Sequence, residues 1–177
     1  MINKKKKTKK NCYVSQKNCI QKANYNFSEC DNLTFITLTF KENITDIREA
    51  NKYFVRWIRK LQYRYGNDFK YLRIYDYQKR GAIYFNIILN KQIPTTVLQK
   101  HWEYGIIKNL VVNNENKTIN EFVFKYITEP LIKAETKKVY DLNIKAYQFS
   151  RNINDIAWEN GAIICWNCFQ FKGENNG

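Results

Sequence analysis

Carboxylates, imidazoles and chain breakers are all scarce in this sequence. Its 177 residues hold 16 Asp and Glu against 30 Lys and Arg, with one His, one Met, two Pro and six Gly. A single imidazole excludes a metal centre built from several histidines, and His101 falls in a short helical stretch where a surface or packing role suits it. No apolar run approaches the ~20 residues of a membrane span, and the Lys-rich start lacks the apolar h-region of a signal peptide. A cytosolic protein that stays off membranes is therefore expected. Cysteine is present five times, an odd number that fits free thiols in a reducing compartment. Cys165 and Cys168 form the one C-x-x-C, and Cys12 and Cys19 could complete a four-thiolate zinc site with them, although their spacing is not that of a zinc knuckle.

What is abundant is apolar and basic. Hydrophobic residues make up 44% and aromatics 16%, with 13 Tyr and 11 Phe, so the chain is globular and long enough to bury one core without metal or disulfide help. A formal charge of +14 exceeds what solubility asks and implies a polyanionic partner, nucleic acid first. Residues 1–30 read as a basic arm and irregular lead-in, 31–172 as a single domain, and 173–177 as a tail. Lys4, Lys5, Lys6 and Lys7, followed by Lys9 and Lys10, should form a disordered arm that tracks phosphates.

The organising stretch is Tyr71 to Asn90, YLRIYDYQKRGAIYFNIILN, which reads as two strands joined by a tight turn at Gln78 to Gly81. Period-2 alternation puts Ala82, Tyr84, Asn86 and Ile88 on one face and Ile83, Phe85, Ile87 and Leu89 on the other. The second face is wholly apolar. The first carries a Tyr and an Asn in mid-strand, where a core rarely accepts polar groups without partners, and it is the candidate site. Leu33 to Phe40 is a further strand, with Leu33, Phe35, Thr37 and Thr39 on one side and Thr34, Ile36, Leu38 and Phe40 on the other.

A helix should begin near Thr45 or Asp46, with Asp46 and Glu49 as a capping box and Ile47, Ala50, Phe54, Ile58 and Leu61 facing the sheet. Lys52, Arg56, Arg59, Lys60 and Arg64 gather on its other faces, with Trp57 and Tyr63 among them, and suit a nucleic-acid-facing surface. Pro94 and Thr95 start a short helix through Trp102, and Ile106 to Val112 is another strand. Asn113 to Lys117 is turn-like. Thr118 and Glu121 then cap a helix to about Thr128, before Pro130. Further extended segments run from Tyr140 to Phe149 and from Gly161 to Phe171.

Taken in order, three of these stretches resemble the motifs of rolling-circle replication initiators, the Rep or HUH endonucleases of phages and plasmids. The strand LTFITLTF resembles the first motif. Arg80 and Gly81, with Asp76 ahead of them, match the Arg-Gly turn and acidic residue of the second, but Tyr84 and Asn86 stand where that family has its metal-binding His pair. In INEFVFKYITEP, Tyr126 and Lys125 occupy the Tyr and Lys positions of the third motif, and Phe122 takes the place of a second Tyr. Trp102 with Gly105, and Ser150 with Arg151, resemble pairs seen in phage initiators. The resemblance covers residues 34–151.

It implies an α+β sandwich: a mainly antiparallel sheet of about five strands with helices packed on it, ferredoxin-like as Rep domains are. It also implies where the chemistry would sit. Tyr126 would be the nucleophile of a nickase assisted by Lys125, and Asp76, Tyr84 and Asn86 would be the remaining ligands of a degenerate metal site. One carboxylate and neutral oxygens hold Mg²⁺ weakly, and Mn²⁺ suffers more from losing imidazole nitrogens. No cofactor is therefore expected, Mg or Mn entering only if nicking persists. The favoured reading is a Rep-derived protein that binds nucleic acid without nicking, through Lys4 to Lys7, Lys52, Arg56, Arg59, Lys60, Arg64, Lys79 and Arg80. Single-stranded DNA is the favoured partner and RNA the other. An active nickase, or a phage counter-defence protein such as an anti-CRISPR acting on a host nucleic-acid-handling protein, are the alternatives.

Overall fold

The computed structural model of the chain describes residues 9–27, 30, 32–113, 147–155, 158–159 and 162–163. Helix α1 (Lys9–Phe27) leads into strand β1 (Asn32–Thr39), helix α2 (Ile47–Tyr65), the hairpin of β2 (Tyr71–Tyr77) and β3 (Ile83–Leu89), the short helix α3 (Thr95–His101) and strand β4 (Ile107–Asn113). Strands β5 (Tyr147–Phe149), β6 (Trp158–Glu159) and β7 (Ala162–Ile163) follow. Among the described residues, β6 and β7 pair with each other alone. The other five strands form one sheet in the order β4-β1-β3-β2-β5, with every neighbouring pair antiparallel. From β1 to β4 the succession is β-α-β-β-α-β with strand order 4-1-3-2, the ferredoxin-like arrangement expected from the sequence, and β5 extends it past β2.

Alternation along the strands divides the core in two. Ile36, Leu38 and Phe40, Ile83, Phe85, Ile87 and Leu89, and Tyr71 and Tyr75 pack on one side against α2 and α3. Leu33 and Phe35, Leu72 and Ile74, and Ile88 pack on the other against α1. Side chains of directly opposed residues share a face, so the register confirms the split: Phe35 opposes Ile88, and Leu38 opposes Phe85. The two faces expected of β1 and β3 are those observed.

α2 follows its apolar period, with Ile47, Ala50, Phe54, Ile58 and Leu61 buried on the sheet. Asp46 caps it by accepting from the Arg48 N–H at 2.8 Å, while the Glu49 carboxylate accepts instead from the Tyr53 hydroxyl at 3.5 Å. Trp57 departs from the sequence reading. It does not join the basic residues at the surface but is fully buried, its Nε1 donating to the Leu98 carbonyl at 3.3 Å and its ring meeting Trp102 edge-on. Its partners come from α3 and the residue after it, so the local helical period alone does not place it.

α1 corrects the expectation of an arm and irregular lead-in over its residues. One apolar side chain per turn, Cys19, Ala23 and Phe27, suffices to seat the helix on the sheet. The Asn26 amide then mimics a backbone group: its Nδ2 donates to the Asn154 carbonyl at 3.0 Å, and its Oδ1 accepts from the Asn154 N–H at 2.9 Å. Lys22 adds an ion pair to Asp155. The helix thus ties the segment after β5 to the N-terminal side of the sheet.

Two close approaches fix the far end of β1. A Cβ on Gly105 would lie 2.0 Å from the Thr39 carbonyl oxygen, so no side chain fits there. Trp102 Nε1 donates to the same oxygen at 3.1 Å. The Trp and Gly noted in the sequence are therefore one device, clamping the lead-in of β4 onto β1.

Candidate nucleic-acid interface

α1 covers the half of its sheet face that holds Leu33, Phe35, Leu72, Ile74 and Ile88. The other half of that face is polar. In β1 it carries Thr37 and Thr39, in β3 Asn86 and Tyr84, in β2 Asp76 and in β4 Lys108. Cross-strand register sets them in two rows, Lys108–Thr37–Asn86 and Thr39–Tyr84–Asp76. The three residues singled out on the hairpin, Asp76, Tyr84 and Asn86, are thus brought together.

Their polar atoms are engaged with one another and with the strand edges. The Tyr84 hydroxyl donates to Asp76 Oδ2 at 3.0 Å, and the Tyr77 N–H donates to Asp76 Oδ1 at 2.7 Å. Asn86, only 7% exposed, accepts from the Thr37 hydroxyl on Oδ1 at 3.0 Å. The Thr39 hydroxyl donates to the Ile106 carbonyl at 3.0 Å. Partial burial, with the Asp76 charge and the hydrogen bond to it, pushes the Tyr84 phenol well above its usual range. The phenol is therefore a standing donor to the carboxylate. Among the described residues no three of His, Cys, Asp and Glu gather as metal ligands.

The turn that precedes β3 is built as its sequence suggests. Gly81 takes φ +86° and closes the turn by donating its N–H to the Gln78 carbonyl at 2.9 Å. Arg80 is exposed, but its guanidinium bonds the carbonyls of Phe40 and Lys41, with Nε on Gln78 Oε1 at 2.8 Å. It pins the hairpin to the end of β1. Lys79 beside it is exposed.

The basic residues of α2 lie elsewhere. Lys52, Arg56, Arg59, Lys60 and Arg64 are exposed on the side of the helix turned away from the sheet, with Arg48 in line with them and Tyr63 95% exposed. α2 packs on the sheet face opposite Tyr84 and Asn86. The candidate binding residues therefore fall on two sides of the molecule.

Lys4 to Lys7, Lys125, Tyr126, Phe122, Cys165 and Cys168 lie outside the described residues. So do the cap at Thr118 and Glu121 and most of the Gly161 to Phe171 segment. Cys12 belongs to α1, and Cys19 is fully buried in the apolar cluster, where burial pushes its thiol up and away from the thiolate that zinc needs.

Sequence reasoning passes over three residues. Thr37 and Lys108 join the site only through pairing across strands, which no local pattern reveals. Arg73, in mid-β2, is only 4% exposed, lies between the rings of Phe54 and Phe85 at 4.5 and 4.9 Å, and bonds Asn51 of α2 and Gln148 of β5. Burial lowers its pKa to about 10. A lone Arg in an aromatic strand is the signal that marks it.

A family model described as replication-associated protein ORF2 matches residues 33–131, more than half of the chain. The matched span opens in β1 and includes the hairpin, both helices of the ferredoxin-like unit, and the stretch holding Lys125 and Tyr126. Comparison with curated proteins and with solved structures finds no match.

Proposed function

The chain belongs to the ORF2 family of replication-associated proteins, and from that premise we propose that it binds nucleic acid on an initiator-derived scaffold without metal-dependent nicking of its own. The observation that carries this reading is the hydrogen bonding at the two positions where the resemblance to HUH endonucleases calls for imidazoles. Tyr84 donates to Asp76, and Asn86 accepts from Thr37. In place of two nitrogens facing an ion, the strand presents a phenol and an amide that satisfy neighbouring groups.

That donor set does not fit a divalent metal well. It offers one carboxylate, each of whose oxygens already accepts a hydrogen bond, together with neutral oxygens. Phosphoryl transfer to a tyrosine needs the developing charge on the phosphate to be offset, a service worth several kcal/mol. A residual role for Tyr126 as nucleophile would have to proceed without it. Binding has no such requirement: a charge of +14 supports phosphate contacts, and exposed aromatics support stacking on bases.

The deciding experiment incubates the protein with single-stranded DNA carrying a hairpin, with and without Mg²⁺ or Mn²⁺. Binding is read by anisotropy and covalent adduct by denaturing gel. Salt-sensitive binding with no adduct in any metal is the expected result. A metal-dependent adduct lost in Tyr126→Phe would establish the nickase instead. A stoichiometric complex with a host protein that survives nuclease, alongside absent DNA binding, would point to the counter-defence alternative.

A further inference from the structure

The basic face of α2 lies on the wrong side of the sheet to serve the polar site, and it has a chemistry of its own. Arg48, Lys52, Arg56, Arg59, Lys60 and Arg64 share the outer half of the helix, whose buried half is fully occupied by Ile47, Ala50, Phe54, Trp57, Ile58 and Leu61. Glu49 is the only acidic residue of α2 and accepts from Tyr53, while Lys60 reaches Glu103 at 3.7 Å. Between this face and the row of Tyr84, Asn86 and Asp76 stand the larger core cluster and the sheet itself. One strand of nucleic acid lying on either surface could not reach the other without passing round an edge.

We propose that the outer face of α2 is a second, separate docking surface that takes the phosphate backbones of a double-helical nucleic acid. The inference rests on the nucleic-acid-binding reading above and adds a partner class and a place. Length and stiffness favour a duplex. From Arg48 to Arg64 the helix runs about 24 Å at about 1.5 Å per residue, and a duplex offers a regular phosphate array with about one charge per 1.7 Å of axis. Residue type favours it too. Four of the six cations are guanidinium groups suited to bidentate phosphate contact, whereas single strands are held by rows of stacking aromatics. This face exposes one fully accessible ring, Tyr63. The polar site and the α2 face can then be occupied together, so that the protein holds a single strand and a neighbouring duplex stem at once.

The test uses the full chain and two labelled probes, an unstructured single-stranded oligonucleotide and a blunt duplex of equal length, titrated separately and then together. In Arg56→Glu/Arg59→Glu the duplex Kd should rise about tenfold or more while that of the single strand changes less than about threefold. Lys108→Glu, on the polar face, should do the reverse. Duplex added to protein saturated with single strand should form a ternary complex without releasing it. Circular dichroism checks folding, and Arg56→Gln/Arg59→Gln carries the same test if the glutamates cost the fold. Release of the single strand by duplex, equal weakening of both probes, or single-strand binding with no duplex binding would each overturn this inference alone. Failure of both probes to bind would overturn the broader reading with it.

Discussion

Tyr84 and Asp76 form the most sensitive contact of the polar face, because the phenol donates to a carboxylate that is itself half-buried. Tyr84→Phe should lower stability by about 1 kcal/mol, the usual worth of a charge-assisted bond reduced for partial exposure, as read by urea denaturation near neutral pH. The pH dependence has a definite sign. The folded phenol resists ionisation, while the unfolded one ionises near its ordinary value of 10. The stabilisation is therefore complete below pH 10 and fades as pH rises beyond it, so wild type should lose more stability than Tyr84→Phe between pH 9 and 11. Restoring nitrogen ligands should reverse the proposed metal defect: Tyr84→His/Asn86→His should bind Mn²⁺ measurably by calorimetry where wild type does not. At Gly105 the argument is steric. Gly105→Ala places a methyl group against the Thr39 carbonyl and should cost at least about 1–3 kcal/mol in the same denaturation assay. Tyr84 and Asn86 are legible in the sequence because period 2 exposes a polar residue in the wrong place. Their partner Thr37 is not, since a register between strands is written in the whole fold and not in either segment.

Among the elements, α1 shows how little local signal a helix needs. Cys19, Ala23 and Phe27 recur every four residues among Asn, Lys and Gln, a pattern too thin to stand out in the sequence. Its order comes from the sheet beneath it and from Asn26 and Lys22 beyond. Phe27→Ala should therefore destabilise the protein by about 3–5 kcal/mol, visible as a lower thermal midpoint. α2 is readable in outline because its apolar stripe is wide, yet Trp57 at the margin of that stripe needs α3 to decide its side. Arg73 links α2 to β5, and its charge faces neutral acceptors on Asn51 and Gln148. Asn51→Leu strips an acceptor from a buried guanidinium and should cost more than Arg73→Met, which removes the charge and keeps the volume.

For the molecule as a whole, the division of the sheet by alternation governs both folding and binding. Strand order and the helices of the β-α-β-β-α-β unit follow from hydrophobic period and motif order, while β5 emerges as the short end of a longer expected segment. Affinity for single-stranded DNA should fall steeply with salt, log K declining linearly against log salt with a slope of several units, and a flat response would argue against phosphate contacts. The same alternation has an outcome for descent. Tyr84 and Asn86 are neighbours of Ile83, Phe85 and Ile87 in the chain but strangers to them in space, since the odd-numbered side chains anchor α2 and the even-numbered ones look the other way. A lineage can therefore rewrite what this strand offers to its ligands, one even position at a time, at little cost to the packing that keeps the protein folded.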